Sequence, residues 1–197
     1  TLDGSIINLA YPILTDSLNT DTSMVVWVSV SFLLVSASLA LPLGTIGDII
    51  GRKRVYLSGL LIFTLGLSMA SLSQNIGQLI IFRIFQGIGQ GMMVATMNAL
   101  IVNAFPDNER GKALGLNGAL IGTGLASGPV IGGFILEYLG WRALFWCRIP
   151  VSFIGLLIGL IVLKPDSKIP SNKRPTFDYW GTISLMVGLS AFLLLTN

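Results

Sequence analysis

Histidine is absent from this 197-residue sequence, cysteine occurs once, and charged residues make up only 11% of the chain. The absence of histidine removes the commonest proton-transfer side chain and the commonest metal ligand. Because Cys147 stands alone in an apolar run, the sequence predicts neither a disulfide nor a metal site. A soluble domain carries about 25% charged residues, so this chain has too little charge to solvate a globular surface of its size.

Apolar residues take the place of the missing charge. Hydrophobic residues make up 53% of the chain, and the mean hydropathy is +0.80. A helix needs about 20 apolar residues to cross a hydrocarbon core of roughly 30 Å. Short connections between the first six apolar segments predict antiparallel neighbours in one bundle, and the chain is therefore expected to be an all-α membrane protein. Its seven apolar segments lie approximately at 2–14, 24–47, 55–72, 78–103, 111–136, 141–163 and 179–197.

The two ends of the chain suggest a piece of a longer protein. The sequence begins at Thr1 without a methionine, and its last apolar segment runs up to Asn197. The first segment is only about half as long as a bilayer crossing requires, and no basic flank marks it as a signal peptide. We therefore expect a cut inside the first helix and another near the end of the last, with a carboxy-terminal half missing.

A different kind of connection precedes the seventh segment. Residues 164–177 contain three prolines and four basic residues without helical periodicity, which is typical of an exposed linker. The sequence thus divides into a six-helix transmembrane bundle at 1–163, a cytoplasmic linker at 164–177 and the start of a seventh transmembrane helix at 178–197.

The basic residues are distributed unevenly between the two sides of the predicted bundle. Nine of the twelve Lys and Arg residues lie on one side, at 48–54, 104–112 and 164–177, whereas the loops on the other side hold only Arg142. Basic loops accumulate on the cytoplasmic side of a membrane. We expect a multi-pass protein of the plasma (inner) membrane with loops 48–54, 104–110 and 164–177 in the cytoplasm. The net charge of +3 comes from these short loops and does not indicate nucleic-acid binding.

The clearest functional candidates among the charged residues are Asp3 in the first apolar segment and Arg83 in the fourth. A charge near the bilayer centre costs roughly 2.5–3.5 kcal/mol, so it normally faces a partner or a wet cavity and marks a pathway. The alternative is that one of them snorkels to an interface or pins helix packing. We expect a functional role on such a pathway for both.

The residues that follow Arg83 form a stripe on nearly the same helical face. Two amides and two adaptable thioethers suit the lining of a substrate cavity, although a methionine stripe alone is more often core. Beside this stripe, Gly87, Gly91 and Ala95 form a ridge that permits close helix approach. The predicted cavity residues are Asn8 from the first segment and Gln86, Gln90, Met93 and Met97 from the fourth.

The turn between the second and third segments combines a carboxylate, glycines and three consecutive bases. A solvated loop would need the bases but neither the carboxylate nor the glycines. Asp48 can accept charge-assisted hydrogen bonds, and Arg52 could also reach Glu109 or Asp107 in the next cytoplasmic loop. We expect a conformation-dependent ion-pair latch formed by Gly44, Asp48, Gly51, Arg52 and Lys53.

The fifth segment is rich in glycine and carries Pro129 beside Gly128. Spaced glycines are explained by close packing, but proline removes a helical hydrogen bond, so this pair predicts a kink. We expect a hinge made by Gly124, Gly128, Pro129, Gly132 and Gly133.

Taken together, these motifs resemble the amino-terminal half of a major facilitator superfamily transporter, in the branch of the fourteen-helix drug:proton antiporters. Residues 44–53 are similar to the cytoplasmic signature of that superfamily, and 82–91 to its fourth-helix motif. Residues 124–133 resemble the fifth-helix motif of antiporters, and 2–12 the first-helix motif of the fourteen-helix branch. Arg148 stands where related sequences commonly carry asparagine, and the sequence assigns it no role.

The resemblance implies a six-helix bundle of two three-helix repeats followed by a seventh helix. It also implies proton-coupled multidrug efflux by alternating access, with Asp3 and Arg83 in the coupling roles. The implied partners are the lipid bilayer, protons, an amphipathic or cationic small molecule and the carboxy-terminal half. No catalytic residue, metal or cofactor is expected, and no enzyme activity. Two alternatives stay open: a uniporter or symporter for a small metabolite, and a non-transporting membrane assembly subunit.

Overall fold

The computed structural model describes residues 2–163 and positions 180, 181, 184, 187, 188 and 191; of residues 2–5 it describes only the backbone. The predicted linker at 164–177 and most of the predicted seventh helix lie outside the described residues.

Helices account for nearly all of the chain from residue 2 to residue 163, and each apolar segment predicted there coincides with a helix or a pair of helices. Five stretches of this part are long and apolar enough to cross a membrane. The helices are α1 (Leu2–Leu9), α2 (Tyr11–Leu18), α3 (Thr22–Ile50), α4 (Arg52–Ser71), α5 (Ile76–Ala104), α6 (Arg110–Leu139), α7 (Ala143–Trp146) and α8 (Arg148–Val162).

The breaks between helices have identifiable causes. The first apolar segment divides at Ala10, because Pro12 favours the start of a new helix at α2. At the junction of α3 and α4, Gly51 has a φ of 113°, a conformation that costs glycine little and other residues more. α4 can therefore begin directly after α3, and the glycine predicted in the latch is explained by backbone geometry.

α5 is the central helix, and glycines bring it close to both of its main neighbours. A Cβ atom added to Gly87 would lie 2.9 Å from the carbonyl oxygen of Phe32 in α3. On the opposite side, a Cβ atom added to Gly89 would lie 2.5 Å from both the Gly59 oxygen and the Phe63 nitrogen of α4. The close helix approach predicted for Gly87 is confirmed, while the role of Gly89 on the α4 side was not foreseen.

We expect Gly89→Ala to destabilise the bundle by about 1–3 kcal/mol, since the new methyl group would overlap backbone atoms that cannot move aside easily. The matched control is Gly115→Ala in α6, where an added Cβ has nothing within 4 Å among the described residues. Thermal unfolding of the purified full-length protein in detergent measures both effects. Equal melting temperatures for the two variants would contradict the proposed packing.

The remaining helices pack around this centre. α1 rests on α6, where a Cβ atom on Gly132 would lie 2.9 Å from Ile6 Cγ2. α8 rests on α4, where Ser152 Oγ and Thr64 Oγ1 lie 2.6 Å apart. α6 continues without a break through Pro129, so the hinge predicted there is not a helix boundary and stays a prediction.

One end of the bundle carries the basic turns, and we call it the basic end. α3, α5 and α8 end there, and α4 and α6 begin there with Arg52 and Arg110. The largest buried apolar cluster includes Ile7, Leu14 and Phe145 and extends over α1, α2 and α7 together with parts of α3, α4, α5 and α6. The fold thus places the latch residues at the basic end. Arg83 lies in the first third of α5 and is therefore closer to the opposite end of the bundle.

Candidate functional site

Arg83 is fully buried, with a relative exposure of 0%. Its Nε donates to the carbonyl oxygen of Val28 in α3 at 3.1 Å, and its Nη1 donates to Gln86 Oε1 at 2.7 Å. The guanidinium carbon lies 4.0 Å from the centre of the Phe32 ring. A buried charge is tolerated only when hydrogen bonds and other favourable contacts replace water. α3 and α5 therefore build a specific enclosure for this cation.

The turn of α3 that contacts Arg83 also contacts α1. Ser29, the residue after Val28, donates a long hydrogen bond of 3.4 Å from its Oγ to Asn8 Oδ1. Asn8 is thus linked to the surroundings of Arg83 through one turn of α3. Asp3 belongs to α1, one helical turn before Ile6 and Ile7, which are both buried. The carboxylate of Asp3 lies outside the described side chains.

The stripe that follows Arg83 turns toward α4 rather than staying beside α3. Gln86 is fully buried and packs on Gly66 of α4, whose added Cβ would lie 2.8 Å from Gln86 Cβ. Met93 and Gln90 are half-buried. Their assignment to a substrate cavity stays a prediction.

Met97, the last residue of the stripe, lines an apolar groove of about 300 Å³ between α4, α5 and α8, near the basic end. Tyr56 of α4 and Phe105, just after α5, line the same groove. This groove was not predictable from the sequence, because it depends on where α8 docks. The structure therefore places Met97 away from Arg83, on a different part of the bundle.

The latch residues come together at the basic end. Arg52 Nε donates to Asp48 Oδ1 at 2.7 Å across the break at Gly51. Asp107, one of the two further partners considered for Arg52, pairs here with Arg110, with 2.5 Å between Oδ1 and Nη1. Both ion pairs join residues that are only three or four positions apart in the sequence.

Glycines of the latch pack against α5. A Cβ atom added to Gly47 would lie 2.8 Å from Thr96 Cγ2, and one added to Gly44 would lie 3.8 Å from the Ala95 oxygen. The end of α3 that carries Asp48 is therefore held closely against α5.

Three further bases have partners that sequence reasoning missed. Lys53 donates from Nζ to the carbonyl oxygens at the end of α8. Arg142 Nη2 donates to the Ser73 oxygen at 2.8 Å and ties the α6–α7 connection to the α4–α5 connection. Arg148 Nε donates to the Leu144 oxygen at 2.7 Å. Arg148, which the sequence left without a role, thus caps α7 at the break before α8.

The profile of the Major Facilitator Superfamily matches residues 1–196. The chain belongs to the Major Facilitator Superfamily. This confirms the family predicted from the motifs, and the helices described above form the amino-terminal bundle of a major facilitator protein. The protein is therefore a multi-pass membrane protein of a transporter family.

Several curated relatives are similar to this chain in sequence. The Riboflavin transporter RibZ of Clostridioides difficile (strain 630) is 40% identical over 197 residues, which cover 100% of this chain and 43% of the relative. The Multidrug transporter protein MdtP of Bacillus subtilis (strain 168) is 34% identical over 194 residues, covering 98% and 35%. The Tetracenomycin C resistance and export protein of Streptomyces glaucescens is 29% identical over 184 residues, covering 93% and 34%. The chain spans less than half the length of each of these relatives.

Proposed function

We propose that this chain is the amino-terminal half of a proton-coupled exporter of amphipathic or cationic compounds. The main support is Arg83, a fully buried cation in a membrane-spanning helix that is held by Val28 and Gln86. An intramembrane charge is expensive and is found mostly on ion and substrate pathways. Relatives named for multidrug transport and for tetracenomycin C export support the substrate class.

In the proposed mechanism, Asp3 carries the proton and Arg83 supplies a fixed positive charge nearby. α1 contacts the turn of α3 that binds Arg83, through Asn8 and Ser29. A change of protonation at Asp3 would therefore alter the relative stability of the two facing states of the transporter. One pH unit supplies about 1.4 kcal/mol per proton, and a membrane potential of about 100 mV adds roughly 2.3 kcal/mol per charge.

We place the basic end in the cytoplasm of a cell whose plasma membrane the protein spans, with loops 48–54, 104–110 and 164–177 on the inner side. The latch at Asp48 and Arg52 would stabilise one facing state, and the hinge at Gly128 and Pro129 would let the bundle rock. The residues proposed to contribute to the substrate path are Asn8, Gln86, Gln90, Met93 and Met97. A carboxy-terminal half would complete the cavity.

A second candidate is uniport or symport of a small metabolite, which is favoured by the relative named as a riboflavin transporter. A non-transporting assembly subunit has less support, since it does not need the buried charge of Arg83.

The direction of proton movement distinguishes these functions. The full-length protein is reconstituted in vesicles, and a gradient of ethidium or of riboflavin is imposed while the luminal pH is recorded. An exporter of the proposed kind moves protons against the direction of ethidium movement. Protons that follow the substrate would indicate a symporter, and substrate movement without proton flux a uniporter; either result would contradict the proposal.

A further inference from the structure

The second base of the latch, Lys53, reaches across the bundle. Its Nζ donates to the Leu160 oxygen at 3.1 Å and to the Leu163 oxygen. Lys53 lies in the first turn of α4, whereas both acceptors belong to the last turn of α8 and its end. We call this pair of hydrogen bonds the α4–α8 tether.

The chemistry of helix ends explains why a lysine suits this position. The last four carbonyl groups of a helix have no intrahelical partner, and the helix dipole makes this end partly negative. A lysine ammonium offers three donors and a full positive charge. The tether therefore satisfies groups of α8 with a residue that lies more than one hundred positions earlier in the sequence.

The tether joins the latch to the point where the chain leaves the bundle. Arg52, the preceding residue, is bonded to Asp48 at the end of α3. Further along, α8 is held on α4 by the contact of Thr64 with Ser152, and by Gly159, whose added Cβ would lie 2.8 Å from Leu57 Cδ2. One helical turn of α4 thus connects the end of α3 to the end of α8.

We propose that Lys53 is a positioning residue of the transport cycle. It fixes the end of α8 on the start of α4, so that a change at the Asp48–Arg52 ion pair is transmitted to the chain that follows Leu163. The part of this inference that concerns transport rests on the proposed function. The tether itself does not, and it can be measured separately.

The test compares Lys53→Met, which keeps the aliphatic stem but removes every donor, with Lys53→Arg, which restores donors and charge. Arg54→Met is the matched control, because Arg54 is the next base in sequence and is exposed. Hydrogen exchange is measured on peptides that cover 156–163 in the full-length protein, and ethidium transport is measured in vesicles. We expect exchange at the end of α8 to be roughly tenfold faster in Lys53→Met only. We also expect a lower kcat with an unchanged KM, and recovery of both readouts in Lys53→Arg.

Each alternative outcome has a defined meaning. Unchanged exchange in Lys53→Met would show that the tether is absent and would overturn the inference. Faster exchange with normal kcat would reduce the tether to a structural contact and overturn the positioning role. If the wild-type protein moves ethidium without proton flux, the proposed function fails, while the exchange data and the kcat effect still support the tether.

Discussion

Replacing Arg83 by methionine is expected to lower proton-coupled ethidium transport by about 100-fold or more. The substitution removes the donors to the Val28 oxygen and to Gln86 Oε1, both inside the bundle. A hydrogen bond from a charged group contributes about 1.5–3 kcal/mol, and about 1.4 kcal/mol corresponds to a tenfold change in rate. Initial rates in vesicles that contain equal amounts of inserted protein measure the effect.

Two further variants show whether the loss is specific. Arg83→Lys keeps the positive charge but lacks the planar fork that bonds two acceptors at once, so we expect it to retain only part of the activity. Arg54→Met removes an exposed base and should transport at the wild-type rate. Wild-type coupled flux in Arg83→Met would contradict the role assigned to the buried cation.

The second large effect is expected for Asp48→Asn, which should reduce transport about tenfold while leaving membrane insertion and stability intact. The side chains of Arg52 and Asp48 are 34% and 41% exposed, and an ion pair this exposed contributes only about 0–1 kcal/mol to stability. A loss of transport would therefore report on the conformational cycle and not on folding. Arg52→Gln should cause the same loss, and the double variant no more than either single one.

Asp107→Asn is the matched control for Asp48→Asn. Asp107 also forms a local ion pair with an arginine, at 2.5 Å, and its side chain is 87% exposed. We expect this variant to transport normally, because its pair lies at the start of α6 and does not bridge the junction of α3 and α4. Equal losses of transport in the two variants, or no loss in Asp48→Asn, would contradict the proposed latch.

The helices were predictable because the bilayer sets their length. Apolar runs long enough to span it placed α3, α4, α5 and α6 within a few residues of their observed bounds, and proline explains the division at Ala10. The break at Cys147 was not predictable, since no proline or glycine adjoins it in the sequence.

Sequence reasoning selected Arg83 because a charge inside an apolar run is unusual. It could not supply the partners, since the Val28 oxygen and the Phe32 ring come from another helix. The same holds for Lys53, whose acceptors lie in α8. Pairs such as Asp48 with Arg52 join residues that are close in sequence, whereas the turn of the stripe toward α4 depends on the glycines at the α4–α5 contact.

The proton-coupling role of Asp3 is tested by recording the proton flux that accompanies ethidium movement in Asp3→Asn and in Asp16→Asn. Asp3 belongs to α1 and Asp16 to α2, but Asp16 is exposed near the end of α2, opposite the basic end. We expect Asp3→Asn to bind ethidium still but to lose the coupled proton flux, and Asp16→Asn to retain both. Full coupled proton flux in Asp3→Asn would contradict the proton-coupling role proposed for Asp3.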